Sequence, residues 1–436
     1  MKYSLLTTLL LLALIPVRMT GQPAHADEYV TVQHGTFMKN GQPYYFIGTN
    51  YWFGGILGSA GKYGNRERLI RELDHLKKIG VNNLRILVGA EGPDNEPFRV
   101  TPALQPEPGV YNEELLDGLD FLLVEMKKRG QVAVLYLNNS WDWSGGYAQY
   151  LNWNGYGSIP YPSVKPHTWQ EFMSYAGRFH HCENCLRQFR EHIKFILGRT
   201  NRYTGIKYTE DPVIMTWEIG NEPRAFSRES IPAFEKWIGE TAALIKIMDS
   251  NHLVTTGTEG QHGCEGSMEV FERIHSDPNI DYLTMHIWPK NWAWLDIHDI
   301  PGSLQTSIEN TTRYMTDHME VARKLDKPLV LEEFGLPRDE HGYGPEESVK
   351  CRNRYYRHAF SQVLESARHR DVLAGCNFWA WAGEGRPAPG RIFWQIGDDY
   401  LGDPPQEEQG LNSVFDTDST VSLISKYNRK LSKIIQ

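Results

Sequence analysis

The chain has 436 residues, 40% of them hydrophobic and 23% charged, with a formal net charge of -9. That apolar content supports a large core, and the length suits two or three average domains or one α/β barrel with insertions. An acidic surface is repelled by phosphate backbones and anionic lipid, which argues against nucleic-acid and membrane-surface partners and suits a neutral ligand.

At the N-terminus, Lys2 precedes the apolar run LLTTLLLLALIPV (5–17), which is short for a bilayer span, and Ala24-His25-Ala26 supplies a small-x-small cleavage site. The pattern predicts a signal peptide over 1–26 and export to the cell envelope or beyond. A single catalytic domain is expected over 27–436. The stretch VTVQHGTFMKNGQPYYF then carries an Asn40-Gly41 turn between apolar runs, which predicts a hairpin closing the bottom of a barrel.

Eight candidate strands follow at 44–50, 81–88, 131–138, 213–220, 252–258, 282–288, 328–334 and 375–381. Most are continuous apolar runs, as parallel strands buried on both faces require. Between them lie amphipathic stretches such as 65–80 and 112–130, with apolar residues at spacings of three and four and a terminal glycine. The alternation predicts a (β/α)8 barrel. Two connections are long, from Asn139 to Thr168 and from Ala382 to Ser413. Long connections in a compact domain commonly serve as lids or binding walls.

Cysteines stand at 182, 185, 264, 351 and 376, too few for a disulfide scaffold and odd in number. HHCENC (180–185) has metal-like spacing, but no second Cys or His pair follows at zinc-finger distance. A local disulfide or buried thiols fit it better. No motif calls for a cofactor, a metal or a protein partner, and a monomer is expected.

In such barrels the active site forms at the carboxyl ends of the strands. Polar groups collect there: Arg85 on strand two, NNSWDWSGG (138–146) after strand three, Asn221-Glu222 after strand four, Glu259 beyond strand five, His286 and Trp288 on strand six, Glu332-Glu333 on strand seven, and Trp379 and Trp381 on strand eight. Two carboxylates converging from strands four and seven can cleave a glycosidic bond, one protonating the leaving oxygen and the other attacking the sugar or activating water. Glu218 and Glu222 share strand parity, but only Glu222 is placed where substrate reaches. Alternation is expected to turn Glu332 and Glu333 to opposite faces.

WEIGNEP and LEEFG, with LRI, HIW and FWAW around them, resemble glycoside hydrolase family 5. GTNYW (48–52), NNSWDWSGG, NEPR and GTEG (257–260) resemble its mannan-degrading branch. The likeness spans essentially the whole mature chain. It implies retaining hydrolysis of β-1,4-mannosidic bonds in mannan or manno-oligosaccharides, with Glu222 as acid/base and Glu333 as nucleophile. It further implies that Arg85, Asn139, Trp141, Asn221, Arg224, His286, Trp288, Trp379 and Trp381 surround the substrate. Arg85 would hold the nucleophile ionised, Asn221 would bond the sugar 2-hydroxyl, and Trp379 would floor a pyranose ring. Many family members carry a histidine after strand three and a tyrosine at the position of Trp288. Both departures fit the mannan branch better than the cellulase branch. The long segment 382–413, with Phe393, Trp394 and Tyr400, is expected to wall off one end of the cleft. An exo-acting β-mannosidase is the expectation on that ground, with an endo-β-1,4-mannanase as the alternative.

Overall fold

A computed structural model describes residues 28–435. The expected signal peptide over 1–26 lies outside the described residues. Eight parallel strands form the centre: β1 (Phe46–Asn50), β2 (Asn83–Leu87), β3 (Val132–Tyr136), β4 (Ile214–Glu218), β5 (Leu253–Thr255), β6 (Leu283–Ile287), β7 (Leu329–Phe334) and β8 (Leu373–Phe378). They pair in the order β5-β4-β3-β2-β1-β8-β7-β6. The remaining seam is crossed by Asp281 N donating to Val254 O at 2.8 Å and by the hydroxyls of Thr255 and Thr284 donating to Tyr282 O and Thr258 O. The result is a nearly closed barrel with helices between its strands.

The helices form where the sequence places apolar stripes. Arg66–Lys78 buries Leu69, Leu73 and Leu76 at spacings of four and three, and the Asn65 side chain accepts from Arg68 N at its N-cap. Glu113–Lys128 is capped in the same way by Asn112. At the opposite end from the site, Thr31–Gln33 pairs with Thr36–Lys39, which pairs in turn with Gln42–Pro43. Asn40 and Gly41 connect them with φ of 51° and 72°, the left-handed pair that a tight hairpin turn demands. Phe37 packs its ring against Phe46 and Tyr282, at the starts of β1 and β6, so the hairpin covers the bottom of the barrel.

Strand eight departs from its expected span. It starts two residues earlier and stops at Phe378; Trp379 follows it, and Trp381–Gly383 leaves the barrel to pair with Val414–Phe415. The chain turns because Val414 N takes Ala380 O as its acceptor, a bond outside the barrel ladder. Cys182 and Cys185 form a disulfide at the N-terminus of helix Glu183–Leu197.

Candidate active site

Arg85 organises the mouth of the barrel. Fully buried on β2, it donates through Nη2 and Nε to the two carboxylate oxygens of Glu218 at 2.6 and 3.0 Å, and through Nη1 to Glu333. Asn50 Oδ1 and Asn221 Oδ1 take further hydrogens at 3.0 and 2.9 Å, and the guanidinium lies 4.4 Å over the Tyr136 ring. A planar, permanently charged fork suits this task, because one side chain then fixes groups from β1, β4 and β7 in a single plane.

Glu222 is held beyond the end of its strand. β4 stops at Glu218, and the backbone continues to Glu222 through Asn221 N donating to Asn138 O at 2.8 Å and Glu222 N donating to Gly257 O at 3.0 Å. Glu222 has a φ of 50°, in the left-handed region that side-chain-bearing residues avoid. Its Oε2 accepts from Trp141 Nε1 at 2.5 Å, and its Oε1 lies 2.8 Å from His286 Nδ1. Burial lowers the His286 imidazole to about 3, so it is neutral and serves as a hydrogen-bonding group.

Oxygens of Glu222 and Glu333 lie within 4.8 Å of one another. Burial raises both carboxyls, with Arg224 opposing the rise at Glu222 and Arg85 opposing it at Glu333. Two buried carboxyls so close titrate as a pair and do not ionise together at low cost. The guanidinium bonded to Glu333 draws the negative charge there, which leaves the proton on Glu222.

Glu332 corrects the alternation argument. The β7–β6 register runs from Leu331 opposite Met285 directly to Glu333 opposite His286, so Glu332 is a bulged residue. Both carboxyls therefore turn toward the barrel interior. Glu332 Oε2 lies 3.8 Å from Arg85 Nε and 3.7 Å from His286 Nε2.

A cavity of about 550 Å³ opens above this cluster. Trp141, Asn221, Glu222, Arg224, Trp288, Glu333 and Trp379 line it. Arg85, Asn139 and His286 lie buried behind that layer and act through it: Asn139 Oδ1 accepts from Trp141 N at 3.0 Å and from Asn221 Nδ2 at 3.2 Å. Trp381 is a correction. It is fully buried outside the cavity lining, edge-on to His75, because the chain has left the barrel by that point. The cavity also takes in Trp143, Trp169, His262, Trp292 and Glu407, which sequence reasoning did not single out. Two of them carried a signal, Trp143 by lying in NNSWDWSGG and Glu407 by lying in the long segment after β8. Arg224 is fixed by two bonds to Glu259, at 2.5 and 2.7 Å, and stacks 5.1 Å over Trp141.

Among the described residues, Glu222, His286 and Glu333 are the group whose ligand atoms could converge on a cation. Those atoms are already engaged with one another and with Arg85, whose charge stands where a cation's would. The HHCENC motif holds no ligand set: its cysteines are joined, His180 Nε2 bonds Arg224 O and His181 Nε2 bonds Ser230 Oγ.

A family model described as GH family 5 beta-mannosidase-like matches residues 27–436. The chain belongs to glycoside hydrolase family 5. Among curated relatives of this family 5 hydrolase, mannan endo-1,4-beta-mannosidase 2 of Arabidopsis thaliana is 31% identical over 373 residues, covering 81% of this chain and 78% of that one. Mannan endo-1,4-beta-mannosidase 7 of the same plant is 29% identical over 420 residues, covering 93% and 86%. The crystal structure of a glycoside hydrolase family 5 mannosidase from Rhizomucor miehei superposes with a TM-score of 0.86 at 36% identity, covering 94% of this chain and 99% of that one.

Proposed function

We propose that this family 5 hydrolase is an exo-acting β-mannosidase, removing mannose from the ends of β-1,4-mannan and manno-oligosaccharides with retention at the anomeric carbon. Glu333, kept ionised by Arg85, attacks the anomeric carbon while Glu222 gives its proton to the departing glycosidic oxygen. The resulting glycosyl ester on Glu333 is released when Glu222, now a base, takes a proton from the attacking water. The short carboxyl separation supports retention, because an inverting pair must stand about 6.5–9.5 Å apart to admit a water. Asn221 keeps one amide hydrogen for the sugar after its bonds to Arg85 and Asn139.

The observation that carries the exo reading is the wall after β8. Pro404, Gln406, Glu407, Leu411 and Asn412 line the cavity, and Lys290 Nζ meets Glu408 Oε2 at 3.7 Å across its rim. The wall is anchored: Trp52 Nε1 donates to Gly402 O at 2.9 Å, Arg352 donates to Leu411 O and Ser413 O at 2.7 and 2.8 Å, and the Asp403 carboxylate accepts from the backbone of Gly410, Asn412 and Ser413. It rises beside Gly335 and Trp288, on the nucleophile's side, whereas Trp141 and the half-exposed Trp169 stand on the acid's side. A barrier on the side that receives the glycone leaves room for a terminal sugar and stops a chain from running through. The plant relatives carry endo names, which is the competing reading.

Products from mannohexaose decide between them. Early mannose with a ladder shortened one unit at a time supports exo action, and immediate internal fragments refute it. Shortening 382–412 is expected to raise internal cleavage of polymeric mannan. Export under a leader over 1–26 belongs to the same proposal, and N-terminal sequencing of the secreted protein tests it.

A further inference from the structure

Glu332 has no part in the mechanism above, yet it lies at its centre. Arg85, Glu218, His286 and Glu333 face it from β2, β4, β6 and β7, with the Tyr136 and Tyr282 hydroxyls nearby. Arg224 is committed to Glu259, and His286 is neutral. One guanidinium therefore serves three carboxyls, of which Glu218 and Glu332 are sealed from solvent and Glu333 meets it only at the floor of the cavity. Three charges against one cannot persist there, because each uncompensated buried charge costs several kcal/mol.

The hydrogen bonds identify which carboxyl carries the extra proton. Glu218 receives two donors from Arg85, Glu333 receives one, and Glu222 receives Trp141 Nε1–H. Both oxygens of Glu332 are buried without any hydrogen-bond partner, and Glu218 Oε2 and Glu332 Oε2 face the same Arg85 Nε, at 3.0 and 3.8 Å. An ionised carboxylate has no donor within bonding distance there, since His286 Nε2 and Arg85 Nε stand 3.7 and 3.8 Å away; a neutral acid carries its own donor and has the Glu218 carboxylate beside it as acceptor. We propose that Glu332 is held as a neutral carboxylic acid whose O–H donates to the Glu218 carboxylate, and that this bond keeps Arg85 available to hold Glu333 ionised. Burial and the adjacent Glu218 charge push the Glu332 carboxyl well above its ordinary range, in the same sense. The β7 bulge is what brings the acid inward to make this contact. Glu332 is a positioning residue: it sets the charge state of the nucleophile without touching substrate.

The inference rests on Glu333 as the nucleophile, but its first test reads the Glu332 proton alone. Infrared spectra at neutral pH of Glu222→Gln and of Glu222→Gln/Glu332→Gln are subtracted. The expected result is a neutral carboxylic-acid carbonyl band that vanishes with the second substitution; its absence from the difference overturns the proposal. The second test follows the acid limb of kcat/KM, which reports protonation of Glu333. Glu332→Leu leaves Glu218 leaning wholly on Arg85, so the limb should rise by about half a pH unit or more. Glu332→Gln restores a neutral donor and should return the limb to its wild-type position. If Glu332 were ionised, both substitutions would remove a negative charge beside Glu333 and both limbs would fall, which also overturns the proposal. Retained activity in Glu333→Gln, by contrast, would remove the nucleophile assignment and leave the infrared result standing.

Discussion

Trp141→Phe removes a neutral donor, the indole N–H, from the side chain of Glu222. The change removes Nε1–H, whose bond to Glu222 Oε2 is 2.5 Å, and keeps a ring to stack on Phe172 and to lie under Arg224. That bond favours the carboxylate and so opposes the upward push of burial. A hydrogen bond to a charged group is worth about 1.5–3 kcal/mol, and a pKa unit corresponds to about 1.4 kcal/mol. The protonated acid keeps a weaker version of the same bond, so the net effect is about one unit. The sign is upward: with the donor gone the carboxylate is less stable, and Glu222 stays protonated to higher pH. In a kcat/KM profile on an aryl β-mannoside, the alkaline limb should move up by about one unit while the acid limb, set by Glu333, stays in place. An alkaline limb that stays put or falls refutes Glu222 as the acid or the Trp141 bond as its regulator.

Glu222→Gln should cost about 10²–10⁴ in kcat on mannobiose and far less on an activated aryl mannoside, whose leaving group needs no proton. Glu333→Gln should abolish turnover of both substrates, since each must form the glycosyl ester. Asp418→Asn should destabilise the fold by about 3–5 kcal/mol in chemical denaturation. It strips the charge partner from buried Arg338, which Asp418 holds through two 3.0 Å bonds, with buried Arg352 close by at 3.9 Å. Activity measured in chelator should be unchanged, and a loss restored by added divalent cation would contradict the acid/nucleophile assignment.

The barrel was legible because parallel strands buried on both faces leave long apolar runs, and all eight runs became strands, with most ends shifted by one to three residues. Edges were less visible, since a buried turn can be as apolar as the strand before it. Trp381 illustrates this: FWAW reads as one strand, but the ladder ends at Phe378 and the second tryptophan belongs to another sheet. The two carboxyls that converge in the cavity, Glu222 and Glu333, were legible from their place at strand ends. Their surroundings were not, because Trp169, His262 and Trp292 reach the cavity from helices and loops whose paths no periodicity encodes. Alternation failed at Glu332-Glu333 for a specific reason. A bulge adds one residue to one strand only, so it depends on the partner's register, which a single strand's sequence does not carry.

Glu222 itself sits in a conformation that its residue type disfavours, and this gives a stability test independent of turnover. At a φ of 50° a side chain with Cβ costs about 1–2 kcal/mol, and glycine escapes that cost. The conformation is imposed from outside: Glu222 N donates to Gly257 O, and Ser140 Oγ donates to Glu222 O at 2.5 Å. Both bonds use only backbone atoms of residue 222 and survive any substitution there. Glu222→Ala and Glu222→Gly remove the same carboxylate and the same two side-chain bonds, so their difference is the backbone term alone. Glycine gives back part of the gain through its larger unfolded-state entropy, about 0.4–1 kcal/mol. The glycine variant should therefore be the more stable of the two by roughly 0.5–1 kcal/mol, read as the higher midpoint in matched denaturation curves. An alanine variant as stable as the glycine one would show that residue 222 relaxes out of the left-handed region once its side chain is gone. The strained backbone would then be held by the bonds of the carboxylate to Trp141 and His286, and the acid would be positioning its own loop.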